Sequence, residues 1–207
     1  GRMFNKNVYN VFDKIEENKV YNIVGKIQEF PVDSRMYNIL LESIILAKTY
    51  KKEDFIRQIE NQDSHINYLI STISEIKNKE LKLILATLFE DEEFFEKFIT
   101  APAAKRHHHN YKGGLLAHTN EVVEICKTIA TIYDEIDKDL LITGAILHDI
   151  GKTKELSGSK SPVYTQDGNL LGHIVIGLQM IAVAANEEGV ENCEEVKMLE
   201  HMVAAHH

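Results

Sequence analysis

Apolar residues between positions 20 and 48 fall into two short, β-prone runs. Val20, Tyr21, Ile23, Val24 and Ile27 form the first, and Tyr37, Ile39, Leu41 and Ile44 the second. Phe30-Pro31-Val32-Asp33-Ser34 reads as a hairpin-like connection between them, and Pro31 and Gly25 argue against a helix. From Glu53 onward the apolar spacing lengthens to a helical one. Ile66, Leu69, Ile70 and Ile73 predict a helix capped by Asp63 or Ser64. Leu81, Leu83, Ile84, Leu85, Leu88 and Phe89 predict a second from about Lys79. Phe94, Phe95, Phe98 and Ile99 predict a third, with Asp91-Glu92-Glu93 suited to its first turn and Pro102 closing or kinking it. After the break at Lys112-Gly113-Gly114, helices are predicted over roughly 115–133, 138–149, 170–187 and 194–207. The fold class is therefore mainly α: a small β segment over residues 1–50, then an all-helical domain over 51–207. Two or three strands alone are marginal, so the β segment needs a partner surface.

Composition narrows this picture. The chain has 207 residues, 44% apolar and 27% charged, which fits a soluble globular protein with a buried core. No run approaches the ~18 apolar residues of a membrane span. Gly1-Arg2-Met3-Phe4 has no secretory h-region, and Cys126 and Cys193 make no disulfide framework. These features point to a cytoplasmic protein. The net charge of −9 divides as +1, −4 and −6 over residues 1–50, 51–100 and 101–207. Without a broad basic face, strong sequence-independent nucleic-acid binding by Coulomb attraction is not predicted. An acidic chain still binds phosphates where cations supply the positive charge. Phe4, Tyr9, Phe12, Tyr21, Phe30, Tyr37 and Tyr50, seven of sixteen aromatics, lie in the first 50 residues. Strand packing is the ordinary use of such residues, and base stacking the functional one.

The unusual feature is ten histidines with no tryptophan. His118 lies early in one predicted helix, and His148-Asp149-Ile150-Gly151-Lys152 ends the next. His173, His201 and His206-His207 fall on the two that follow. Imidazole and carboxylate together suit borderline divalent ions such as Mn, Fe, Co, Ni or Zn. A His-Asp pair at a helix end offers two ligands to one locus, and the Asp has two oxygens with which to bridge two ions. Gly151 lets the chain turn away, and Lys152 has the reach to touch a phosphate oxygen. Two cations sharing a carboxylate are a standard device for hydrolysing phosphate esters. Any one of these histidines alone reads as an ordinary surface or core residue; their conjunction carries the signal.

His118 followed by His148-Asp149 resembles the HD superfamily of metal-dependent phosphohydrolases. The likeness extends through Pro102-Ala103-Ala104, His108-His109, Tyr111-Lys112-Gly113-Gly114-Leu115-Leu116 and His118-Thr119. It continues through Gly144–Lys152, Glu155-Leu156-Ser157-Gly158, Tyr164-Thr165, Gly168, Leu171-Gly172-His173-Ile174, Gly177, His201-Met202 and His206-His207. Across residues 100–207 the sequence is similar to the YhaM-type 3′-to-5′ exoribonuclease family. Such proteins carry an OB-fold before the HD domain, and residues 20–45 resemble its later part, making the β segment a partial OB-like one.

The resemblance implies a first metal held by His118, His148 and Asp149. It implies a second, bridged by Asp149 and held by His173 with His206, His207 or both. Lys152 would contact phosphate in catalysis beside Asp149, and His108 and His109 would touch substrate phosphates. His201 would be a supporting residue rather than a ligand. Three departures stand out. The family pattern places a further Asp downstream of His207, which the 207 residues do not include, and a site without it would bind metal more weakly. Ala117 stands where related families commonly have Glu. Gly114 stands where HD-GYP phosphodiesterases have a carboxylate, which favours a dinuclear over a trinuclear site.

The expected function is a phosphodiesterase using two divalent ions (Mn, Fe, Co, Ni, Zn or Mg). Its expected substrate is single-stranded RNA shortened from the 3′ end, with no membrane partner and possible homo-oligomers. The alternatives are an HD phosphohydrolase acting on a small nucleotide, or a catalytically impaired nucleic-acid-binding module.

Overall fold

The structure is a computed structural model that describes residues 15–16, 19–31, 34–51, 58–105, 109–157 and 162–207. The aromatic positions Phe4, Tyr9 and Phe12, the turn residues Val32 and Asp33, and His108 lie outside them. The chain divides into two compact units, Gly1–Phe55 and Ile56–His207.

In the first unit, β1 (Tyr21–Glu29) and β2 (Tyr37–Leu46) pair antiparallel, with Tyr21 opposite Leu46 and Glu29 opposite Tyr37. The register shifts once, between Val24 and Gly25. The Arg35 N–H donates to the Glu29 carboxylate at 2.6 Å and the Phe30 N–H to the Met36 carbonyl at 2.9 Å, closing the hairpin. Ile27 is 75% exposed and Tyr37 69%. Two strands thus leave much of their own apolar surface uncovered, as so small a sheet must.

The second unit is helical. α1 (Gln62–Glu75), α2 (Lys79–Phe89) and α3 (Glu92–Thr100) precede α4 (Gly114–Ile132) and α5 (Lys138–Leu147). Then come the one-turn α6 (Lys152–Glu155), a two-residue-per-strand hairpin of β3 (Leu156–Ser157) and β4 (Val163–Tyr164), and the short α7 (Gln166–Leu170). α8 (Gly172–Glu187) and α9 (Glu194–Ala204) complete it. The hairpin and the two short helices are additions that the apolar periodicity does not encode, being too short to repeat either pattern.

The caps follow side-chain chemistry with one correction. Asn78, Asp91 and Asp137 accept from the backbone N–H groups of Leu81, Phe94 and Leu140. α1, however, starts earlier than Asp63 or Ser64 would set it. Asn61 takes the N-cap position in a left-handed backbone conformation (φ 51°) that asparagine tolerates, so Asp63 falls in the first turn instead. The core collects Leu69, Leu81, Leu85, Phe98, Leu115, Leu116, Ile146, Leu147, Ile181 and Leu199, all without solvent exposure. Phe89 meets Phe94 and Phe98 edge-on at 5.3 and 5.1 Å.

α5 decides where the chemistry goes. Leu140 and every residue from Ile142 to Leu147 are buried, so this helix is apolar all round and runs through the middle of the unit. The residues just past its end, His148 and Asp149, are therefore delivered to the interior. α9 packs on α5 with Met202 against Gly144, which brings the C-terminal end of α9 to the same place.

Candidate metal centre

Asp149 sits at the focus of the site with 2% exposure. Its Oδ2 lies 2.6 Å from Lys152 Nζ, 3.2 Å from His148 Nε2 and 3.4 Å from His118 Nε2. Its Oδ1 lies 3.4 Å from His173 Nε2 and 3.8 Å from His206 Nε2. His118 Nε2 and His148 Nε2 are 3.3 Å apart, and His173 Nε2 and His207 Nε2 3.1 Å apart. Four segments converge here: the first turns of α4, the turn after α5, the start of α8 and the end of α9. His118, His148, Asp149, His173, His206 and His207, anticipated as one constellation, are thus brought together.

The other ring nitrogens show why the Nε2 atoms matter. His148 Nδ1 donates to the Ala145 carbonyl at 2.8 Å and His206 Nδ1 to the Val203 carbonyl at 2.7 Å. A carbonyl can only accept, so Nδ1 carries the proton and the neutral ring turns a bare Nε2 lone pair inward. His173 Nδ1 lies 3.1 Å from Glu155 Oε1, with the same consequence. Lone pairs of several imidazoles thus face both oxygens of one carboxylate. A divalent cation between them would satisfy several of them at once. Asp149 Oδ1 and His206 Nε2 are buried with no hydrogen-bond partner, which is the fit a divalent metal requires. Asp149 with His173, His206 and His207, and His118 with His148 and Asp149, are two groups whose ligand atoms lie within 4.8 Å of one another.

Burial pushes the Asp149 carboxyl upward, but a hydrogen bond from the His118 ring and the charge of the Lys152 ammonium outweigh it. They hold the group well below the usual carboxylate range. Burial pushes the His206 imidazole down, keeping it neutral. Burial pushes the Glu155 carboxyl upward, but the hydrogen bonds donated by the His173 ring and backbone N–H outweigh it and hold the group lower.

His109 stands at the edge of the cluster, its ring 5.6 Å from that of His118. Both of its nitrogens are engaged, Nδ1 with the Tyr111 hydroxyl at 3.0 Å and Nε2 with Glu121 Oε2 at 3.1 Å. His109, His118 and Glu121 form a third group of converging ligand atoms. The loop reaches this position because Gly114 has no side chain. A Cβ there would stand 1.9 Å from the His109 carbonyl oxygen, which also shows why a carboxylate cannot replace Gly114 here. Ala117 is buried at 4%. His201 is exposed on α9 and belongs to none of the three groups among the described residues.

Two residues escaped the sequence reading of roles. Glu121 follows His118 by three positions, a helical spacing that places both on one face. Glu155 is buried and accepts from both the backbone N–H and the ring of His173, 18 residues away. No local pattern announces that contact.

Residues 115–207 match the family model of the HD domain, so the helical unit carries an HD domain. The whole chain is similar to proteins named 3′-5′ exoribonuclease YhaM. That of Bacillus pumilus is 33% identical over 190 residues, covering 91% of this chain and 59% of the relative. That of Halalkalibacterium halodurans is 34% identical over 189 residues, 91% and 58%. That of Bacillus subtilis is 41% identical over 145 residues, 68% and 45%. The likeness drawn from the sequence motifs is therefore to these proteins. The chain spans about half the length of the curated relatives it matches. No solved structure matches it. No helix among the described residues is long and apolar enough to cross a membrane.

Proposed function

We propose that this chain is the metal-dependent part of a phosphodiesterase that shortens single-stranded RNA from its 3′ end. One observation carries the reading: imidazole Nε2 atoms from four segments face both oxygens of the buried Asp149, whose Oδ1 has no hydrogen-bond partner. The similarity to relatives named 3′-5′ exoribonucleases supports the substrate and direction.

In this reading His118, His148 and Asp149 Oδ2 hold one divalent cation, and Asp149 Oδ1, His173, His206 and His207 hold a second. Two such ions supply an activated water and positive charge for a phosphodiester undergoing hydrolysis. Mn, Fe, Co, Ni, Zn and Mg are the candidates, the imidazole-rich donor set favouring the borderline ions over Mg. Asp149 is the shared ligand. Lys152 is the one ammonium on the carboxylate among the described residues, 16% exposed and 2.6 Å from Oδ2. With Oδ2 turned to a cation, its three N–H donors are available to a non-bridging phosphate oxygen. His109, fixed by Tyr111 and Glu121, borders the first metal group where a substrate phosphate would enter. His108, read from the sequence as a second phosphate contact, adjoins it in the chain. Residues 1–50 are read as part of an OB-like module, with the exposed Tyr37 suited to base stacking.

The test is metal content by elemental analysis after Mn²⁺ loading and gel filtration, with the same sample given a 3′-overhanging single-stranded RNA. Two ions per chain with stepwise 3′ shortening is the expected result. Ions without shortening, but with hydrolysis of a free nucleotide, would replace the RNA reading by a small-nucleotide one. Neither ions nor turnover would leave a binding module.

A further inference from the structure

Three histidines of the centre have their inward tautomer set by an acceptor on Nδ1, and the three acceptors are not alike. His148 lies at the C-terminal end of α5 and His206 just beyond α9. Both use a carbonyl three residues back, Ala145 and Val203, from the last turn of their own helix. Helix C-termini leave such carbonyls unpaired, so these acceptors come with the fold and no side-chain substitution removes them. His173 is the second residue of α8. A helix N-terminus presents unpaired N–H groups instead, so an acceptor for His173 must come from elsewhere. Glu155, the last residue of α6, supplies it.

One oxygen, Oε1, takes both the His173 backbone N–H at 3.0 Å and the ring Nδ1 at 3.1 Å. The Glu155 side chain is 10% exposed. Its position is fixed from behind: the Thr165 N–H donates to the Glu155 carbonyl at 2.9 Å, and Gly168 packs so closely that a Cβ would stand 2.3 Å from that oxygen. The carboxylate also lies at the positive end of α8, where negative charge is favoured.

We propose that Glu155 is a positioning residue that fixes the Nδ1–H tautomer of His173 and thereby governs the second cation selectively. This rests on the two-cation reading above. Glu155 touches neither substrate nor ion. It makes His173 Nε2 a lone pair directed at the Asp149 Oδ1 side, and it has no bearing on His118 or His148.

The test uses Glu155→Met, which keeps the length and removes the acceptor, and Glu155→Gln, which keeps an acceptor oxygen. Long-range ¹H–¹⁵N correlation of the metal-free full chain reads the tautomer directly. The wild type and Glu155→Gln are expected to show His173 protonated at Nδ1, and Glu155→Met to lose that signature. Chelator competition is expected to find one of the two ions about 10- to 100-fold weaker in Glu155→Met, the cost of losing an outer partner of a histidine ligand, with the other unchanged. Glu155→Gln restores the affinity.

A wild-type His173 protonated at Nε2 overturns the assignment, even if Glu155→Met fails to fold. Equal weakening of both ions, or of neither, also overturns it. A wild type that takes up no ion sinks the two-cation reading instead, and the tautomer measurement, made without metal, still decides the role of Glu155.

Discussion

The two oxygens of Asp149 face differently built halves of one centre. Oδ2 has an internal counter-charge, Lys152, and two imidazoles, all within 3.4 Å. Oδ1 has histidines within reach but no proton donor, because His173 and His206 spend their N–H groups on Glu155 and Val203. One half is therefore partly neutralised by the chain itself. The other could be completed by a cation. A buried carboxylate is thus satisfied on one side and left without a donor on the other.

Asp149→Asn breaks both halves together. Both ions should be lost, by more than the roughly 10- to 100-fold that removing an outer partner costs, and RNA shortening should vanish with them. Elemental analysis beside a 3′-shortening assay checks it. Separate removal sharpens the contrast: His148→Ala and His206→Ala should each leave one ion bound and weaken the other, and the pair should not be additive with Asp149→Asn. Lys152→Met is expected to keep both ions but lower kcat by about 10²- to 10³-fold, the range for deleting one donor to a developing charge. A Lys152→Met protein that loses metal would show that the ammonium serves structure.

The smallest effect is on acid stability. The His206 imidazole is lowered from 6.5 by burial, so the unfolded chain binds the extra proton first. Its contribution is full above pH 6.5 and is lost as the pH falls below that value. Asp149, held below the ordinary carboxylate range, contributes above about pH 4 and loses that contribution only in stronger acid. Urea midpoints of the metal-free protein should therefore fall in two stages on acidification, and His206→Gln should flatten the first alone.

The convergence of His118, His148, Asp149, His173, His206 and His207 was legible because its parts are local signals: a His-Asp pair closing an apolar run, a histidine behind a Gly-Gly turn, and a histidine pair at the end of the last periodic run. The spacing of Ile142, Ile146 and Leu147 says that whatever follows is carried inward. The helix ends were less readable. α1 begins after Asn61, whose left-handed backbone starts the helix without a side-chain cap, so no capping pattern marks the position. Glu155 was unreadable for a different reason. Its partner is distant in sequence, and an isolated acidic residue after two lysines looks like any solvated turn. Glu121 differed again: its spacing from His118 was visible, but its partner His109 comes from a loop whose path depends on Gly114.

Gly151 connects the two halves. A Cβ on it would lie 1.9 Å from the His173 carbonyl oxygen and 2.7 Å from the Gly177 amide nitrogen, so the chain after Asp149 runs backbone against backbone with α8. Side chains adjust to a new neighbour by changing rotamer, whereas main chains in contact have no such freedom. The separation between Asp149 and His173 is therefore a ruler cut into the fold. A side chain at position 151 would have to part those two main chains, moving Asp149 and His173 away from each other.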